Sequence, residues 1–168
     1  MFKNYVSEEQ KLPLFGVGPY MIFAIAVVSL LGQILFGCVW KIGTLSRPWS
    51  IVFIIIGSIL IAAGVAIWFI GAIRSDMDNS IAKNRLKTDG IYSWVRNPMY
   101  SGWWLAISGI SFLCHNLCML ILPVINWGIL TCWLICTEEK WLLELYGDEY
   151  ASYKKRVNRL IPWKSKNK

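Results

Sequence analysis

Charge is scarce in this chain: Asp, Glu, Lys and Arg make up 16% of its 168 residues, against roughly 25% in a soluble domain. Hydrophobic residues make up 56%. That balance excludes a disordered chain, which needs low hydrophobicity, and a water-soluble globule, which needs a charged skin. Histidine occurs once, at His115, so there is no imidazole cluster to bind metal or relay protons. The five cysteines, Cys38, Cys114, Cys118, Cys132 and Cys136, fall in or beside apolar runs and lack the spacing of a secreted disulfide scaffold. Cys114-His115 with Cys118 offers three ligands where structural zinc takes four. The cysteines therefore read as small hydrophobes, and no metal is expected. The formal charge of +7 comes without an aromatic-and-basic module or a zinc pattern, so nucleic acid is not an expected partner.

What the chain has instead is long uncharged stretches. A bilayer core of about 30 Å takes roughly 20 apolar residues of helix. Residues 19–39 and 49–73 each qualify and carry no charge. Residues 99–137 form a further 39-residue run free of Lys, Arg, Asp and Glu. One helix of that length would overshoot a membrane, and His115-Asn116 is the polar pair near its middle, so a hairpin tip is expected there. Its legs are 99–114, which is short, and 117–137. The first run begins late and lacks a small-residue cleavage site, so it reads as a span and not as a signal peptide. Of 17 Lys and Arg, all but Lys41 and Arg47 lie before 19, between 73 and 99, or after 137. By the positive-inside rule both termini are then cytoplasmic. Ser58, Ala62 and Ala66 recur every fourth residue and predict the face on which the second helix packs. The expectation is one all-α integral membrane domain over residues 1–168, with about four transmembrane helices and a cytoplasmic, amphipathic C-terminal segment.

Polar residues gather in two segments predicted at the cytoplasmic face. In the first, Asp89-Gly90 reads as a turn, and Asn97-Pro98 as an N-cap followed by proline at the first helical position. A helix N-terminus favours anions; Arg96, Tyr92 and Tyr100 stand beside it. In the second, Glu138-Glu139 closes the last span. Negative charge is unfavourable at a helix C-terminus, so the helix is expected to continue through Trp141, Leu142 and Leu145 to a break at Gly147-Asp148. Beyond it, Tyr150, Tyr153, Val157 and Leu160 recur at helical spacing, with Lys154, Lys155, Arg156 and Arg159 on the other faces. That pattern predicts a helix lying on the membrane, its apolar side buried and its cations on anionic lipid.

These two segments also carry a resemblance. Leu86-x-Thr88-x-Gly90-x-Tyr92 with Arg96-Asn97-Pro98-x-Tyr100-x-Gly102 resembles the signature of the isoprenylcysteine carboxyl methyltransferase family, whose relatives include phospholipid N-methyltransferases. The C-terminal block is similar too: Glu138-Glu139-x-x-Leu142, Tyr146-Gly147-x-Glu149-Tyr150-x-x-Tyr153 and Val157-x-Arg159-x-x-Pro162. Together they span about residues 86–162. The resemblance implies a membrane methyltransferase that encloses S-adenosylmethionine at the cytosolic face and takes a lipid-like or isoprenylcysteine-type acceptor from the bilayer. It implies a cofactor pocket of Gly90, Tyr92, Arg96, Asn97, Pro98, Tyr100, Glu138 and Glu139, with Arg96 and Glu139 as the catalytic pair. Two departures stand out: Asn97 replaces the family's usual histidine and cannot titrate near neutrality, and Ile91 replaces a common proline. With no histidine near this face, carboxyl or thiol-derived acceptors are favoured. Two other readings stay open at this stage. One is an NADPH-dependent membrane reductase of the sterol reductase type; the other is a non-enzymatic protein that binds lipid or a partner.

Overall fold

The structure, a computed structural model, describes residues 16–75, 80 and 83–163. Lys3, Lys11, Lys164, Lys166 and Lys168, which contribute to the charge asymmetry, lie outside the described residues. Among the described residues the chain is helical, with isolated bridges and no strand. Helix α1 spans Gly18–Gln33 and runs on through a π-helical turn, Ile34–Val39. Helix α2 spans Arg47–Phe69 and ends in a second π-helical turn, Ile70–Arg74. Helix α3 is Pro98–Leu113; α4 is Ile121–Cys136, entered through the 3-10 turn Leu117–Leu120; α5 is Glu138–Arg156. Proline stands in the first turn of α1, α2 and α3, where its missing N–H costs no hydrogen bond.

Among the described residues three helices are long and apolar enough to cross a membrane: Gly18–Val39, Arg47–Arg74 and Leu117–Cys136. Helix α3, with 16 residues, is about 24 Å long at 1.5 Å per residue. Large apolar side chains such as Phe23, Ile59 and Val124 are 60–69% exposed, a surface suited to lipid and not to water. This is a membrane protein.

The helices pack as antiparallel neighbours. Gly57 lies against Gly109, Gly64 against Gly102 and Gly71 against Pro98. A Cβ built on Gly64 would stand 2.6 Å from the Gly102 carbonyl oxygen, and one on Gly109 2.6 Å from that of Gly57. The glycines repeat every seventh residue, close to two helical turns, so they hold one seam where the backbones touch. This corrects the small-residue face expected from the sequence, because Ser58, Ala62 and Ala66 point outward and are exposed. Glycine permits backbone contact that a Cβ prevents, so it takes the inner face. On the other side of α3, Gly32 of α1 receives Leu122 of α4. Asn126 Nδ2 of α4 donates to Ser29 Oγ of α1 at 2.8 Å, both buried.

The hairpin tip falls where expected, at His115-Asn116. His115 takes φ +52°, and Asn116 Oδ1 accepts from the Cys118 N–H at 2.9 Å. Asn116 Nδ2 donates to the Ile42 carbonyl at 2.6 Å, and the Leu117 N–H to that of Gly43 at 2.8 Å. The connection between α1 and α2 is thereby fastened to the tip. The opposite end of the bundle gathers the start of α1, the end of α2, the start of α3 and the end of α4. Four of the cysteines are exposed and Cys118 is half-buried.

Two further expectations are corrected at that end. The last span does not continue through Glu138: Thr137 takes φ −124° and ψ −86°, and α5 begins anew. Glu138 and Glu139 therefore occupy the first turn of a helix, where the macrodipole favours negative charge. The stripe Tyr150, Tyr153, Val157 and Leu160 faces protein, each residue being 6% exposed or less. The C-terminal segment folds inward because residues 157–163 run beside residues 94–96 as a strap. The Arg96 N–H donates to the Asn158 carbonyl at 2.8 Å and the Trp163 N–H to the Trp94 carbonyl at 3.2 Å.

Candidate functional site

The segment before α3 is shaped by two backbone features. Gly90, at φ +58°, turns the chain into the 3-10 turn Gly90–Ser93, which buries Tyr92. Asn97 then stands at the N-cap position of α3, but its side chain makes no cap; Nδ2 donates instead to the Arg159 carbonyl of the strap at 3.1 Å. Pro98 is buried under Gly71.

Arg96 is the centre of the arrangement. It is 8% exposed. Its Nη1 lies 3.1 Å from Glu139 Oε1 and donates to the Tyr150 hydroxyl at 3.1 Å. The guanidinium stands 5.9 Å from the centre of the Tyr150 ring, within cation–π range. Its Nε is buried without a hydrogen-bond partner. Glu139, 4% exposed, is shared by three cations: Arg96, Lys154 at 2.8 Å from Oε2, and Arg159, which grips both oxygens. Burial alone would raise the Glu139 pKa, but the bonds from Arg159 and Lys154 and the charge of Arg96 prevail and hold it at about 2. The cluster of three cations on one carboxylate stays net positive. Sequence reasoning placed Lys154 and Arg159 on lipid; the structure turns both onto Glu139.

An open cleft lies beside Arg96. One wall is Arg85, Lys87, Tyr92, Arg96 and Asn97; the other is Leu142, Tyr146, Tyr150 and Tyr153 of α5. Tyr153 donates to the Tyr92 carbonyl at 2.6 Å and ties the walls together. Gly147, at φ +51° and ψ −124°, kinks α5 between Tyr146 and Tyr150, so both rings reach the same cleft. The tyrosines at 146, 150 and 153 were the missed residues; their helical spacing marks one face, but not what covers it.

The remaining expected residues sit apart from this lining. Tyr100, 7% exposed, donates a short hydrogen bond to Glu138 Oε1. Gly16, at φ +49°, and Gly18 bring the start of α1 over this pair; a Cβ on Gly18 would meet the Tyr100 hydroxyl at 2.7 Å, and one on Gly16 would meet Glu138 Oε1 at 3.3 Å. Desolvation raises the Glu138 pKa to about 7, the Tyr100 bond opposing it. The eight expected positions thus form a cleft group (Tyr92, Arg96 and Asn97), a charge cluster at Glu139, a second pair (Tyr100 and Glu138), and two backbone positions, Gly90 and Pro98.

Residues 47–149 match the phospholipid methyltransferase family. The Protein-S-isoprenylcysteine O-methyltransferase of Schizosaccharomyces pombe is 32% identical over 106 residues, which cover 62% of this chain and 42% of that protein. The protein of the same name from Xenopus laevis is 35% identical over 79 residues, 46% of this chain and 27% of that one. Methanethiol S-methyltransferase 1 of Bradyrhizobium diazoefficiens is 34% identical over 83 residues, 48% of this chain and 27% of that one. In each case the matched stretch is less than half of the relative. The family match runs from the start of α2 into α5 and takes in the cleft lining apart from Tyr150 and Tyr153, so the chain belongs to the phospholipid methyltransferase family.

Proposed function

We propose that this protein is an S-adenosylmethionine-dependent methyltransferase acting on a lipid-like or isoprenylcysteine-type acceptor at the cytoplasmic face of a membrane. In this reading α3 crosses the bilayer as a fourth span, and both termini are cytoplasmic. The observation that carries it is the buried, net-positive cluster around Arg96 beside a tyrosine-walled cleft, in a chain of this family.

The residues present suit the cofactor. The orphaned Nε–H of Arg96 and the uncapped N-terminus of α3 offer donors to its α-carboxylate. Tyr92, Tyr146, Tyr150 and Tyr153 offer aromatic faces and hydroxyls to the nucleoside. The bound cofactor supplies an activated methyl group on a sulfonium. Glu139 acts through Arg96: already ionised and bonded to three cations, it fixes the guanidinium and takes no proton. Asn97 joins the cleft to the strap through Arg159, so the strap belongs to the pocket's structure.

Two measurements test this. The detergent-solubilised protein should bind S-adenosylmethionine in calorimetry, and Arg96→Ala should weaken that binding by at least tenfold. Labelled cofactor should transfer methyl to a component of a lipid extract or to a prenylcysteine analogue. Absence of any cofactor affinity in the wild type would sink the reading.

A further inference from the structure

Leu160 plugs the strap into the bundle. It is 1% exposed and belongs to the core cluster of Met21 and Ile25 from α1, Tyr100 and Ile107 from α3, and Leu130 and Leu134 from α4. Just before it, the Arg159 carbonyl accepts from Asn97, the residue that precedes α3. The strap thus lies level with the start of α3. Consecutive Cα atoms are about 3.8 Å apart, so Ile161 stays close to that level.

With Leu160 turned inward, the strap's outer side is apolar. Trp94, Ile161 and Trp163 are 48–66% exposed, and the bond from the Trp163 N–H to the Trp94 carbonyl joins the two tryptophan backbones. Exposed indoles beside the end of a span are what a membrane–water boundary favours. The spans that meet this end are apolar on the outside too, with Ile73 and Trp103 exposed. The patch therefore borders the lipid-facing surface. At the opposite end of the bundle Trp40 and Trp49 are exposed in the same way.

Charge points to the chemistry of the surface that covers the patch. Lys154, Lys155 and Arg156 stand in the last turn of α5, immediately before the strap, and Lys155 and Arg156 are exposed. In the sequence, Lys164, Lys166 and Lys168 follow Trp163 directly. Apolar anchors flanked by cations suit an interface of anionic headgroups, which attracts Lys and Arg within a Debye length.

We propose that Trp94, Ile161 and Trp163 seat in the headgroup layer of an anionic bilayer, and that this contact holds the strap against Glu139. The proposal rests on α3 being a span, but not on the methyl donor. The outer side of the strap, and not the buried tyrosine stripe, is the surface that meets lipid. Because Arg159 grips both oxygens of Glu139, seating the strap also steadies the carboxylate that pairs with Arg96.

The test uses the full chain in phosphatidylcholine nanodiscs, with or without phosphatidylglycerol. The nanodiscs carry phospholipids with a diazirine either beside the glycerol or deep in the acyl chain. After irradiation, peptide mass spectrometry should place the glycerol-side label on Trp94 and residues 161–163. The deep label should fall on Ile110, an exposed residue of α3. Label on 161–163 should rise about twofold or more with phosphatidylglycerol and lose that gain in about 0.5 M salt. Hydrogen exchange at residues 157–163 should quicken roughly tenfold in the triple variant Trp94→Ser, Ile161→Ser, Trp163→Ser. Label on Ile110 with none on the strap, a strap cross-linked to a second copy of the chain, or unaltered exchange in the triple variant overturns the proposal while the span stands. No label on Ile110 overturns the span and the proposal with it. The labelling map is read on the wild type, so it decides even where the variant fails to fold.

Discussion

Two adjacent carboxylates, Glu138 and Glu139, are driven in opposite directions by their surroundings. Glu139 is buried among Arg96, Lys154 and Arg159 and is held at about 2; Glu138 is bonded to one neutral phenol and desolvation raises it to about 7. A group held below its ordinary value stabilises the fold above that value, and the contribution fades as pH falls through the lowered one. Glu139 therefore contributes stability above about pH 4.5 that is lost toward pH 2. Glu138 does the reverse: its contribution is complete below about 4.5 and is lost as pH rises through about 7. Thermal unfolding in detergent should thus show a fall in Tm between pH 5 and 7.5 that Glu138→Gln abolishes. Removing the shared carboxylate is costlier, because Arg96 would be left buried without compensation. Glu139→Ala should destabilise the protein by about 3–5 kcal/mol, read as a lowered Tm at constant pH.

The seam between α2 and α3 depends on backbone contact at Gly57–Gly109 and Gly64–Gly102. Gly64→Leu would drive a side chain into the Gly102 carbonyl, and overpacking of this kind costs about 1–3 kcal/mol or more. Ala62→Leu, two residues away but outward-facing, should be nearly silent. A matched pair of thermal melts separates the outcomes, and equal destabilisation would contradict the assigned seam. The same element shows why the hydropathy pattern was insufficient. Helix α2 is apolar on all sides, so its sequence offered two stripes of small residues, at 57/64/71 and at 58/62/66. Only the partner helix, with glycines at 102 and 109, selects between them. In α5 the kink at Gly147 is a comparable case. Its φ of +51° suits glycine, and Gly147→Ala should move Tyr150 relative to Tyr146 and weaken cofactor binding by calorimetry, with little change in helix content.

At the scale of the whole molecule, one end of the bundle carries the cleft, the Arg96 cluster and the Tyr100–Glu138 pair, and the other carries the fastened hairpin tip. If the cleft faces the cytoplasm as proposed, Cys114, exposed beside the tip, should react with a membrane-impermeant maleimide added outside sealed, right-side-out vesicles. Cys136, near the cleft end, should not. The apolar runs and the hairpin tip at His115-Asn116 were legible in the sequence, because transfer of apolar length to lipid and the scarcity of charge leave few alternatives. Lys154, Arg159 and the stripe Tyr150–Tyr153 were not legible as parts of the site. A basic, amphipathic helix presents the same pattern whether its apolar face meets lipid or protein. What decides is the strap, whose backbone bonds to residues 94–96 draw those residues over Glu139 and Tyr92. By itself the sequence determined that the chain is helical and membrane-embedded, since those properties are sums over local residue choices. Only the tertiary structure decided that Glu138 and Glu139 differ, because burial and ion pairing arise from residues up to about 60 positions apart meeting at one end of the bundle.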